Sequence, residues 1–173
     1  MPVAFTGFTN PANTTRIADS ATAPGAPVIV PGTPAIDGNT SYLWSPVTAS
    51  GQVVTFRSVF SFGAPLIALA LPISATYAFA GNETVVVSGT LEVLNVLGVP
   101  ILTVPGFLTG SNGGNPNNVE LVFDDAIVAA GLLTLGGTIR ITIDATVTAP
   151  ITGPYDPPNT GRYLGELTVQ TII

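Results

Sequence analysis

The sequence contains no cysteine and no histidine, and its four basic residues are all arginine: Arg16, Arg57, Arg140 and Arg162. Without cysteine there is no disulfide framework, and without thiolate or imidazole the usual zinc ligand sets are excluded. Lacking His and Lys, the chain has neither the commonest general base nor an amine nucleophile, so a reactive hydroxyl would have no ordinary partner. Charge of either sign is scarce, at 8% of residues, against ~25% in an average soluble chain. Ten acidic residues leave a net charge of −6. That gives no basic footprint for nucleic acid and no polybasic segment for an anionic membrane.

Long apolar runs are missing as well. Residues Ser58 to Asn82 carry no charge, but Pro65, Pro72, Ser74 and Thr76 interrupt them, well short of the ~20 apolar residues of a membrane helix. The stretch reads as two buried strands joined by a turn. The start, Met1-Pro2-Val3-Ala4-Phe5-Thr6, shows neither the basic region nor the apolar stretch of a secretion signal. The expectation is a trimmed signal, or assembly inside the producing cell.

What is abundant is apolar residue and threonine. Hydrophobic residues make up 46% of the chain. Combined with so little charge, this suits a subunit whose surface is covered by copies of itself, since permanent interfaces resemble interiors. The alternative is a monomer coated with Thr, Ser, Asn and Gly.

Residues 1 to about 40 differ from the rest. Pro2, Pro11, Pro24, Pro27, Pro31 and Pro34 forbid a helix and disfavour central strands. An extended arm is expected here, followed by one folded domain over 41–173. In the arm, Val3, Phe5, Phe8 and Ile17 have no local hairpin partner in the sequence. They are the candidate assembly contacts, docking onto a neighbouring subunit by strand addition.

From Val53 the pattern alternates. Val54, Phe56, Phe60 and Phe62 share one face, opposite Thr55, Arg57 and Ser61, which predicts a half-buried strand. Thr138 to Val147 alternates without a fault, and Tyr163 to Ile173 places Tyr163, Leu167, Val169 and Ile173 on one side, opposite Glu166, Thr168 and Gln170. Further strands are expected at 75–79, 84–87, 90–96, 100–104 and 119–123. Ala80-Gly81-Asn82, Ser88-Gly89, the Gly110–Asn118 loop and Gly136-Gly137 are the turns between them. The sole helix candidate is Asp124 to Ala130, with an Asp cap and Gly131 beyond it. This spacing predicts an all-β protein: a two-sheet antiparallel β-sandwich of jelly-roll type, preceded by the Pro-rich arm.

Chemistry has few places to sit. No acidic pair stands out for glycoside hydrolysis, and no enzymatic activity is expected. Calcium is the one metal whose oxygen ligands the sequence could supply, at Asp124-Asp125 near Asn117-Asn118 or at Asp156. Helix capping and turn formation explain those residues more simply, so no cofactor or metal is expected. Tyr42, Trp44, Tyr155 and Tyr163 are the amphipathic aromatics placed outside the expected core. They could present a platform to a surface glycan, although Trp44 serves equally well as a plug between the sheets.

Tyr42-Leu43-Trp44-Ser45, Val54-Thr55-Phe56-Arg57-Ser58-Val59-Phe60, Ala75 to Val87 and Gly131 to Ile143 together resemble a recurring bacterial surface jelly roll. Its pattern runs W-I, Y-R-T-x-F, A-T-L…A-D-N…V-x-L-N-G, G-x-N-x-L-x-F-x-V. Here Gly81-Asn82 stands for D-N, and Val87-Ser88-Gly89 for L-N-G. The resemblance spans residues 40–148, and the composition is similar to that of endospore-surface and appendage proteins. It implies self-assembly with an N-terminal connector, outside the cell or on the spore surface. The N-terminal cysteines of one such class are absent, so their cross-linking does not carry over. The expected role is a self-assembling homopolymer subunit of an extracellular fibre or spore-surface layer. A carbohydrate-binding module and a viral or phage particle protein are the alternatives.

Overall fold

A computed structural model describes residues 3–36, 41–63, 71–116, 118–128, 137–154 and 161–171, with backbone alone at 3, 4 and 71. Twelve strands make two antiparallel sheets, and no helix occurs among the described residues. The first sheet holds β10 (Glu120–Val128), β6 (Leu71–Gly81), β12 (Tyr163–Thr171), β4 (Tyr42–Trp44) and β3 (Val28–Val30), in that order, with β1 (Val3–Phe8) also paired to β12. The second holds β2 (Thr14–Asp19), β5 (Val53–Gly63), β11 (Thr138–Thr148), β7 (Val85–Leu94) and β8 (Pro100–Pro105), with the short β9 (Gly110–Ser111) on β7. The orders β4-β12-β6-β10 and β5-β11-β7-β8 are those of an eight-stranded jelly roll. β1, β2 and β3 are additions to it.

The alternation legible in the sequence is what closes the sandwich. β11 exposes Thr138, Arg140, Thr142, Asp144 and Thr146 in part and fully buries Ile139, Ile141, Ile143, Ala145 and Val147. It lies between β5 and β7 in unbroken register. Phe56 and Phe60 from neighbouring β5, with Ile73, Tyr77, Phe79, Tyr163, Leu167 and Val169 from the facing sheet, complete one continuous core. Removing that much apolar surface from water, at ~25 cal/mol per Å², is the main force holding the two sheets together.

Three expectations need correction. Strands 84–87 and 90–96 are one strand, β7, running through Ser88-Gly89 without a turn. Gly89 is there for a different reason: a Cβ at this position would collide with the Phe107 carbonyl oxygen that passes over it. Asp124 to Val128, taken for the start of a helix, continues β10. Their register with β6 extends from Glu120↔Phe79 to Val128↔Leu71, and one Asp cap cannot compete with a nine-residue ladder. Residues 129 and 130 lie outside the described set.

The third correction is the arm. Over its described residues the segment 1–40 belongs to the sandwich. Phe5 to Phe8 pair with Val169 to Glu166 on β12, and Thr14 to Asp19 pair with β5. β1 and β2 have no local hairpin partner, and the strands they pair with are distant ones of the same chain.

An aromatic file runs through the core: Trp44 tilts over Phe56 at 5.9 Å, Phe56 stacks on Tyr163 at 5.3 Å, and Tyr77 stacks on Phe79 at 6.0 Å. The hydroxyls of Tyr77 and Tyr163 hydrogen-bond each other inside it. Gly165 on β12 leaves the space that the Tyr77 hydroxyl fills. Burial pushes both phenols above their usual range. Their folded-state pKa values are raised, so their contribution is fully present below the unfolded value of ~10 and is lost as pH climbs from there toward the folded values. Denaturation midpoints measured across alkaline pH should therefore fall above pH ~10, by about 1.4 kcal/mol per pH unit for each tyrosine. The double substitution Tyr77→Phe/Tyr163→Phe should flatten that slope. An unchanged slope would mean the pair is not what titrates.

Candidate functional site

Two surfaces stand out among the described residues. On the outer face of the second sheet, Arg57 on β5 makes a two-pronged pair with Asp144 on β11, at 2.7 and 2.6 Å. Arg140 on β11 meets Glu92 on β7 at 2.8 Å. Between the two pairs lies a shallow depression of about 380 Å³ over Thr90 and Thr142. Each cation is matched by a carboxylate, so the face has no surplus charge to attract an ion. Half-exposed pairs of this kind contribute at most about 1 kcal/mol each.

The first sheet ends differently. β10 pairs with β6 on one side and, among the described residues, with no strand on the other. Its outward residues are Leu121, 64% exposed, Phe123, 79%, Asp125, and Ile127, 74%. Phe123 is the one fully exposed aromatic ring among the described residues. Val122, Ala126 and Val128 turn inward against the core. A second apolar cluster sits where β7 turns into β8, with Val96, Leu97 (82% exposed) and Val99 at the surface.

The sequence-derived assembly residues are distributed otherwise. Phe5 stacks on Phe62 at 5.2 Å and meets Phe60 edge-on at 6.3 Å, so it seals its own sandwich. Phe8 and Ile17 are half-buried on β1 and β2. Val3 is opposite Gln170 on β12. None of the four lies on the β10 edge. The helix expectation over 124–130 cuts this strand at Phe123 and hides that Leu121, Phe123 and Ile127 share one face.

The aromatic platform is corrected in the same way. Tyr42, Trp44 and Tyr163 are buried and can offer no ring to a sugar, while Tyr155 lies outside the described residues. Gly161 packs directly against the Trp44 indole, which acts as the plug between sheets. The calcium candidates fare no better. Asp124 and Asp125 are adjacent strand residues, whose side chains leave opposite faces and cannot converge on one ion. Asp156 lies outside the described residues, among which no acidic cluster of ligand-forming size occurs.

No family model matches the chain, and no curated protein matches it. Several solved structures are similar in shape. One is the infectious bursal disease virus VP2 subviral particle, at 14% identity and TM-score 0.41, covering 84% of this chain and 37% of that one. Another is the CBM22-2 xylan-binding domain of Paenibacillus barcinonensis Xyn10C, at 16% identity and TM-score 0.43, covering 94% and 92%. A third is the enzymatically active domain of the bacteriophage CBA120 tailspike protein 4, at 12% and 0.43, covering 94% and 20%. The chain thus spans about 37% of the length of the viral chain. Likeness at this level transfers no role.

Proposed function

We propose that this chain is a non-enzymatic structural subunit that assembles with copies of itself, as part of an extracellular fibre or a spore-surface layer. One observation carries the reading. A chain with 8% charged residues leaves a free strand edge whose outward side chains are Leu121, Phe123 and Ile127. An edge of that kind is a template for pairing, and natural proteins that remain monomeric blunt or cover theirs. The jelly roll supplies a rigid body, and association uses its surface rather than a flexible arm. Sedimentation velocity of the purified full chain over a range of concentrations, with negative-stain microscopy of the same samples, tests this. Concentration-dependent association into regular particles, sheets or fibres is expected. A monomer at every concentration would refute it.

A further inference from the structure

The free edges of the two sheets are not equivalent. β2 carries a bulge between Arg16 and Ala18, and its open side is bridged by Gly25, which exchanges two backbone hydrogen bonds with Arg16. β8 has proline at both ends and a register shift where it meets Leu94. β1 has a register shift between Val3 and Phe5, while β3 and β9 are only three and two residues long. β10 alone among the described strands is a long, regular edge: nine residues, no proline and no shift in register. A partner strand should match that length and regularity, and among the described edge strands only β10 itself does.

The geometry points to antiparallel pairing of β10 with β10 of a second copy across a two-fold axis at Phe123, which joins the two first sheets into one. This rests on the self-assembly reading above and names one of its contacts, because an isologous two-fold contact closes at a dimer and a second contact must extend any array. The backbone is oriented for it. The Asp125 N–H is held by the Asp124 carboxylate at 2.8 Å rather than by β6. By the alternation of an antiparallel ladder, Leu121, Phe123, Asp125 and Ile127 then direct their N–H and C=O groups to the open side.

Charge and overlap together select the register, since axes at Leu121, Ala126 or Ile127 would pair less of the strand than one at Phe123. An axis at Asp124 would set Asp124 against its own copy, and an axis at Asp125 would do the same to Asp125. An axis at Val122 would oppose Glu120 to Asp124. Like charges directly opposite each other are destabilising. With the axis at Phe123, Phe123 faces Phe123, Leu121 faces Asp125, Val122 faces Asp124, Glu120 faces Ala126 and Val119 faces Ile127. No carboxylate then opposes another. The contact buries few side chains per copy, so it is weak and concentration-dependent.

The chain contains no cysteine, so a single introduced one reports this pairing cleanly. In the Phe123 register the two copies of residue 123 have Cα atoms ~5.5 Å apart, within disulfide reach. Phe123→Cys should give a cross-linked dimer under mild oxidation. Leu121→Cys and Asp125→Cys should each stay uncross-linked alone, because each residue lies about 13 Å from its own copy. Mixed, those two should cross-link to each other. Phe123→Asp should weaken association at least tenfold, whereas Leu121→Arg should preserve it by placing Arg opposite Asp125. Loss of association in Leu121→Arg, or equal cross-linking of Leu121→Cys and Phe123→Cys, would overturn the register. Association by sedimentation with no Phe123→Cys cross-link would overturn the edge but leave self-assembly standing. No association by any measure would overturn both.

Discussion

Deleting residues 2–20 is expected to abolish folding. Two strands leave at once, one from each sheet. Loss of β1 uncovers the β12 edge, where Thr9 exchanges hydrogen bonds of 2.9 Å with the Gly165 backbone through both its N–H and its hydroxyl. It also strips the partly buried Phe5 from Phe60 and Phe62, where full burial of an aromatic would be worth about 1.5–3 kcal/mol. Loss of β2 unpairs one side of β5 and removes the Thr14 hydroxyl that bonds Ser58 at 2.9 Å in the interior. Together with the orphaned polar groups, at about 1–3 kcal/mol each, the apolar losses consume much of a domain stability of about 5–15 kcal/mol. The truncated chain should show no cooperative thermal transition and should accumulate as aggregate. A soluble product with a sharp transition would mean that the N-terminal strands are dispensable.

Replacing Arg16 by Ala should cost about 3–5 kcal/mol, the range for removing one partner of a buried ion pair. Arg16 and Asp19 form such a pair, with side chains 5% and 0% exposed. Arg16 also donates to the Ala26 carbonyl at 3.1 Å and lies 3.5 Å from the Ser45 hydroxyl. The Gln52 amide donates to Asp19 at 2.7 Å. One cluster therefore ties β2, the segment that folds back over it, β4 and the entry to β5. Burial raises the Asp19 pKa, but hydrogen bonds from Ser45, the Ala21 N–H, Gln52 and Arg16 outweigh it, and the net shift is downward. With its folded pKa lowered, this carboxylate stabilises the fold above the ordinary Asp range, and the contribution disappears as pH falls through the lowered value. Chemical denaturation at neutral pH measures the effect, and adding Asp19→Asn should recover part of the loss by removing the stranded charge. A cost under about 1 kcal/mol would place the pair with ordinary surface bridges.

The strands that could be read from the sequence are those where one face is wet and one dry. β5, β11 and β12 announce themselves because Thr, Arg and Glu alternate with Phe, Ile and Val, and the jelly-roll class follows from their number and spacing. Four features stayed hidden for physical reasons. Gly89 looks like a turn in one dimension, since its real partner, the Phe107 carbonyl, is brought over it only by the tertiary fold. The pairings of β1 with β12 and of β2 with β5 join residues more than a hundred and about forty positions apart, distances at which no local pattern signals contact. The β10 edge reads poorly because both its faces carry apolar residues and the acidic pair at 124–125 imitates a helix cap. The buried Arg16–Asp19 pair gave no signal, as a charge in a strand looks the same whether it is solvated or paired.

The antiparallel pairing of β1 with β12 has a mechanical consequence. Because Val3 lies opposite Gln170, tension applied between the two ends of the described chain starts at that corner and peels the pair open one hydrogen bond at a time. Opening a zipper this way takes little force. Load applied lengthwise across the eleven-residue ladder of β5 and β11 strains all its bonds together in shear. The body is therefore soft when pulled by its ends and stiff when gripped by its sheets, and a load-bearing array of such units would pass force through strand edges and faces.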